Sequence, residues 1–433
     1  MSNQPTKNND MNDDGMLNAE TQRKLPQGEI LQPKLRFKGF TDPWQQRKLE
    51  ELLIPAKAKN VDGKFTKNDV LSVSGEFGIV NQIALKGKSS AGESVLLYSV
   101  VNWGDAVYTK SPLKEAPYGI IKVNQGRAGI VSTLYAVYTL RQHLIVPVFL
   151  ELYFDSNVRL NNYLKPLVNK GAKNDMKVKN VDVLKGHIHI TPNVVEQARI
   201  AEFFRVLDDR IAAAKKKADL LKLKKRYYLQ AIFGQRLRFK GFTEPWQQRK
   251  LEELCIRVGS GGTPSVQHPE YYNGKIPFLG ISDLSGRTVS ATQKKITQKG
   301  LDNSAAWLVP KGSITLAMYA SVGKVAILGI ELATSQAFFN MVIPEKTCIR
   351  DFLFSRLEKA DICHEWLPLI STGTQPNLNA AKLKDWELKV PSTQERKTIG
   401  EFFHALDDLA AALARKIELL ERRKTAYLQR LFV

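Results

Sequence analysis

The chain of 433 residues has only three cysteines, Cys255, Cys348 and Cys363, and no CxxC pair. A disulfide scaffold or a cysteine-bound zinc is therefore not expected, and the thiols read as reduced residues of a cytoplasmic protein. Nor does any apolar run approach the roughly 18 residues of a membrane span. The N-terminus lacks an apolar signal-peptide core. Residues 1–33 hold few apolar side chains and many Asn, Asp, Gln and Lys; such a composition reads as a disordered tail.

Catalytic and cofactor signatures are missing too. Gly87-Lys88-Ser89 has Gln82 where the first glycine of a phosphate-binding Walker loop belongs. The glycine-rich stretch Gly259–Ser265 is not followed by a clear helix, as a dinucleotide loop requires. There is no HExxH, no [ND]PP[FY] tetrapeptide and no His/Cys set at metal-ligand spacing. His187 and His189 share a strand face without a third ligand nearby in sequence. No catalytic, cofactor-binding or metal residue is expected in this chain.

What is present is duplication. Residues 34–52 read KLRFKGFTDPWQQRKLEEL, and residues 236–254 read RLRFKGFTEPWQQRKLEEL; only Lys34/Arg236 and Asp42/Glu244 differ. In this lead-in motif Phe37, Phe40 and Trp44 flank Gly39 and Pro43, which suits a packed turn, and QQRKLEEL reads as a short helix. A second pair of repeats is longer. Residues 196–233 carry apolar groups at alternating steps of four and three, including Leu207, Ile211, Leu221 and Tyr228. Adding 199 to each number returns the same stripe at the C-terminus, including Leu406, Leu413, Leu420 and Tyr427. The interruptions coincide as well, at Lys225 and Lys424. The central stretch contains no Pro or Gly, and its helix would be about 55 Å long. Either each helix covers its own domain, or the two pair with each other. Antiparallel pairing about a pseudo-twofold axis is the expectation here.

The bodies between the repeats look unlike each other in sequence. Both alternate in strand fashion: Ser94–Lys110, Tyr118–Gln125 and Ala128–Leu140 in the first, Gly312–Leu328 and Ala333–Pro344 in the second. Asp351–Leu367 is helical, and by analogy so is Val146–Ser156. A basic loop with Lys165, Lys170, Lys173, Lys177 and Lys179 in the first body has its counterpart in STGTQPNLNAAKL in the second. The expected class is α+β, two bodies of mostly twisted β-sheet separated by two long helices in an antiparallel coiled coil. The expected segments are a tail over 1–33, a first body over 34–192 and a central helix over 193–235. A second body over 236–391 and a C-terminal helix over 392–433 complete the chain. The formal charge is +21 with a pI near 9.7, and the excess is spread over both bodies and the central helix, which favours a polyanion lying across the molecule.

With the duplicated RFKGFT-[DE]-PWQQRKLEEL, the duplicated EFF-LDD…YLQ helices and two dissimilar bodies, the chain resembles the specificity subunit of type I restriction-modification systems. GSITLAMYASVGKVAIL, ATSQAFFNMVIP and GTQPNLN are similar to stretches of that family's target-recognition domains. The resemblance covers residues 34–433. It implies two target-recognition domains, each reading one half of a split double-stranded DNA sequence. It also implies two methyltransferase subunits and endonuclease/translocase subunits as partners, which bring the S-adenosylmethionine, ATP and magnesium. Candidate DNA-contacting residues are Lys173, Asn174 and Lys177 in the first body, and Tyr319, Ser321, Lys324, Thr374, Gln375 and Asn377 in the second. The competing readings are a DNA-binding scaffold or regulator without methyltransferase partners, and a chain with nuclease or transferase activity of its own.

Overall fold

The computed structural model describes residues 32–433 apart from 93, 171–175 and 372–376. The candidates Lys173, Asn174, Thr374 and Gln375 lie outside the described residues. The chain divides into two compact units. One comprises the residues up to Val206 together with Arg423–Val433, and the other is Leu207–Arg422. Each unit thus takes in one body and a share of both long helices.

The two helices are unbroken, the central one over Val194–Phe233 and the C-terminal one over Thr393–Arg430. Their apolar stripe turns inward. Leu207, Ile211, Leu221 and Leu413 are buried, and Tyr228, Leu406, Leu420 and Tyr427 are half-buried. In the second unit Lys215 pairs with Glu421 at 2.7 Å, the Tyr228 ring meets Phe402 at 5.2 Å, and Phe233 stacks on Phe403 at 5.9 Å. Lys215 thus meets the C-terminal helix near residue 421, and Tyr228 and Phe233 meet it near its start, so the helices run antiparallel. In the first unit Phe203 meets Tyr427 at 5.0 Å. The stripe thins at Ala410, which is exposed because a methyl group is too short to reach across.

The lead-in motifs correct one expectation. Gln45–Lys48 and Gln247–Lys250 are strands, and only the following LEEL turns, as Leu49–Leu52 and Glu252–Leu254. Tertiary pairing overrides the helical propensity of QQRK. Gln45–Lys48 pairs antiparallel with His187–Ile190, Gln45 opposite Ile190. Gln247–Lys250 pairs in the same register with Glu387–Val390, Gln247 opposite Val390. His189 is half-buried in this ladder, and burial lowers its pKa, with His187 adding to the effect.

Each lead-in motif also grips a helix start. Arg36 donates two hydrogen bonds to Glu196, at 2.6 and 2.8 Å, and Arg238 donates two to Glu395, both at 2.8 Å. Both glutamates sit in the first turn of a long helix and are fully buried, where the helix dipole favours negative charge. The opposite helix end closes the frame. In the first unit Phe432 packs on Trp44 and Phe149 at 6.0 and 5.2 Å. In the second, Phe233 packs on Trp246 and Phe352 at 6.3 and 5.4 Å. Backbone bonds match as well: Leu35 N–H donates to Arg430 C=O at 2.8 Å, and Leu237 N–H to Ala231 C=O at 3.0 Å.

The bodies share a sheet despite their unlike sequences. In the first, Leu53–Pro55, Tyr135–Leu140, Ala106–Thr109 and Ile121–Val123 lie side by side, all antiparallel. In the second, Arg257–Ser260, Phe338–Val342, Ile314–Ala317 and Val325–Leu328 repeat that order, and Thr288–Val289 adds a parallel edge. A helix follows in each, Pro147–Phe154 or Ile349–Ile362. A further sheet, Lys294–Ile296, Tyr272–Leu279, Leu332–Thr334 and Leu308–Val309, belongs to the second body.

Candidate nucleic-acid interface

The candidate residues of the second body gather at one end of its main sheet. Tyr319, Ser321 and Lys324 lie in the turn between Ile314–Ala317 and Val325–Leu328. The turn is tight. Gly323 N–H donates to Ala317 C=O at 2.9 Å and Ala317 N–H to Lys324 C=O at 2.8 Å. Gly323 has φ +93°, and a Cβ there would stand 2.5 Å from Asp361 Oδ1 and 2.7 Å from the Trp366 ring. Glycine is therefore required both for conformation and for space. Lys324 is exposed, whereas Tyr319 and Ser321 are half-buried. Burial raises the pKa of Asp361; His364 and Lys324 act against it.

Asn377 comes to the same place. Leu378 N–H donates to Met318 C=O at 3.1 Å, so the strand Asn377–Leu378 docks beside the Tyr319 turn. That strand pairs with Ile370–Ser371, and residues 372–376 connect them. The first body has a matching hairpin, Asn169–Lys170 with Met176–Lys177, connected by residues 171–175. Both hairpins precede the strand that pairs with the lead-in motif. Lys177 thus sits at the root of the first hairpin, as Asn377 does at the root of the second.

Sequence reading missed a second group. The first body's counterpart of the Tyr319 turn is the longer segment between Ala106–Thr109 and Ile121–Val123. It presents exposed Ser111 and Lys114, with half-buried Lys110 at its base. This segment is fastened to the body's helices: Asn161 donates to Glu115 C=O at 3.1 Å. Gly119, at φ +87°, has no room for a Cβ, which would lie 2.2 Å from Thr109 C=O. Only the shared strand order reveals this equivalence, since no residue pattern repeats. Among the described residues no group of three or more His, Cys, Asp or Glu side chains is arranged to hold a metal ion. No helix among them is long and apolar enough to cross a membrane.

In the second body the exposed, glycine-tightened turn thus lies beside the root of the hairpin formed by Ile370–Ser371 and Asn377–Leu378. Residues 243–422 match the family model of the type I restriction modification DNA specificity domain. Over 181 residues, 41% of either chain, the protein is 33% identical to the type I restriction enzyme MjaIX specificity subunit of Methanocaldococcus jannaschii. It is 25% identical to the HindI specificity subunit of Haemophilus influenzae over 170 residues, 38% of this chain and 37% of that one. The matches thus span about two fifths of these curated relatives. The solved S subunit from M. genitalium shares the fold along 93% of this chain and 99% of its own, with a TM-score of 0.57 at 14% identity. A chain from a structural study of type I R-M complex assembly and conformational transition covers 90% and 97%, with a TM-score of 0.55 at 17% identity.

Proposed function

We propose that this chain is the DNA sequence-specificity subunit of a type I restriction-modification complex. Its two bodies act as target-recognition domains, each reading one half of a bipartite double-stranded target. One observation carries the reading: two near-identical frames hold two bodies of the same strand order whose exposed turns differ. Equal frames with unlike turns suit half-sites of unlike sequence, read in opposite directions. Basic side chains such as Lys324, Lys177 and Lys173 position the phosphates. Polar groups among Asn174, Tyr319, Ser321, Thr374, Gln375 and Asn377 read base edges.

In this reading the chain carries no catalytic residue. Two methyltransferase subunits bring S-adenosylmethionine, and endonuclease/translocase subunits bring ATP and magnesium, in the cytoplasm. Co-expression with the candidate methyltransferase, followed by methylome sequencing, tests it. The expected result is a stable complex and methylation at one split motif. A chain that binds DNA but retains no methyltransferase would instead be a scaffold or regulator. Metal-dependent cleavage by the purified chain alone would make it an enzyme.

A further inference from the structure

Each long helix places a lysine at a core step of its apolar stripe, and the contacts of Lys225 tie three elements together. In the second unit Lys225 is only 14% exposed. Its ammonium lies 2.6 Å from Glu358, on the body helix Ile349–Ile362, and also pairs with Asp407 of the C-terminal helix. Asp407 accepts a second bond from Arg287 at 2.6 Å, and Arg287 also pairs with Asp351 of the body helix. Arg350 approaches Asp351 at 3.4 Å, so three cations face three carboxylates. One ionic net thus joins the central helix, the C-terminal helix and the body. Burial raises the pKa of Glu358, and Lys225 acts against it.

The first unit has a parallel. There burial raises the pKa of Glu151, on the body helix Pro147–Phe154, and the charges of Lys122 and Lys424 both oppose it. Lys122 in turn pairs with Asp155 at 2.7 Å. In the first unit the carboxylate of Glu151 thus has Lys122 as its ion-pair partner, at 3.9 Å.

Leverage gives this net a meaning beyond stability. The second body is already held at the start of the C-terminal helix by Arg238 and Glu395. Asp407 lies twelve residues further, about 18 Å along the axis. A body held at one end can pivot; a second hold at that distance fixes its angle and height. Apolar contacts in the seam are non-directional and tolerate sliding. A buried ion pair contributes little net stability, but it sets register well.

We propose that the seam lysine Lys225 pins the second body at one angle on its stretch of the helix pair, making it a positioning residue for half-site reading. This rests on the function proposed above. The test uses Lys225→Met with Glu358→Gln, which removes one charge of each sign and leaves Asp407 with Arg287. In the complex with co-expressed modification subunits, methylation is mapped on targets of varied spacer length. Discrimination against a spacer one base pair off should fall about tenfold, the effect of losing one charged hydrogen bond. The bases read and the thermal midpoint should stay nearly unchanged, and Lys225→Arg should restore discrimination. Unchanged discrimination would overturn the proposal, as would a loss of base preference in step with a falling midpoint. Hydrogen exchange on the isolated chain gives a readout free of DNA and partners. Amides of Ile349–Ile362 should lose about tenfold protection in the double variant. Unchanged protection there would also refute the pin, whereas an unmodified wild-type cell genome would count only against the proposed function.

Discussion

The two bodies differ most where they meet solvent and least where they meet the helices. At the helix end they are nearly superposable in chemistry: an arginine on a buried glutamate, a QQRK strand in identical register, a phenylalanine between tryptophan and phenylalanine. Outside these shared contacts a tight turn around Gly323 in one body corresponds to a longer segment ending at Gly119 in the other. Between them the strand order is kept while the residues are replaced. Core positions of a sheet accept many apolar residues of suitable volume, but a bidentate ion pair accepts few. Sequence identity therefore persists only in the frame.

Within the frame the two copies are not equal. Arg36 is 12% exposed and Arg238 is 27% exposed. The Trp246 indole donates to Glu395 at 3.3 Å, whereas the buried Trp44 indole N–H has no partner among the described residues. The second frame is thus better satisfied but more open to water.

The comparison breaks most completely if the shared seam is destroyed. Leu207→Asp with Leu221→Asp puts two carboxylates into buried positions. The double change should cost more than about 5 kcal/mol, seen as a collapse of the second unit's unfolding transition and of helical circular dichroism. Next come the closing phenylalanines. Phe432→Ala should destabilise the first unit by about 4 kcal/mol, and Phe233→Ala the second, as read by hydrogen exchange in each. Melting of both units together in either variant would show that the frames are not separate. Smaller and more discriminating is the arginine pair. Arg36→Ala strands the buried Glu196 and should cost about 3 kcal/mol in chemical denaturation. Arg238→Ala should cost less, because Trp246 still donates to Glu395. The reverse order would contradict the comparison. The smallest effect belongs to Lys324→Ala, which should leave stability unchanged and reduce the slope of DNA affinity against salt by about 1.

The frame was legible in the sequence because its letters repeat. The seam from Leu207 to Tyr427 follows from the steps of four and three, and Lys225 and Lys424 stood out as coincident breaks. Helix for Val146–Ser156 was inferable only by analogy with the second body, and the structure has it at Pro147–Phe154. QQRK misled because its partner strand lies more than a hundred residues away, beyond any local pattern. For the same reason the ion pairs of Glu196 and Glu395 were invisible: a first-turn glutamate looks solvated until an arginine far along the chain is folded against it. The Lys110–Lys114 segment was missed because its equivalence to the Tyr319 turn is topological.

The central claim is that equal frames carry independent readers. It is tested most directly by exchanging residues 53–191 for the first body of another type I specificity subunit, keeping both lead-in motifs and both long helices. The exchanged chain is assembled with its modification subunits, and its target is mapped by methylome sequencing. The expected result is one new half-site, with the other half-site and the spacer length unchanged. A change in both half-sites, in a complex that still assembles and methylates, would contradict the account.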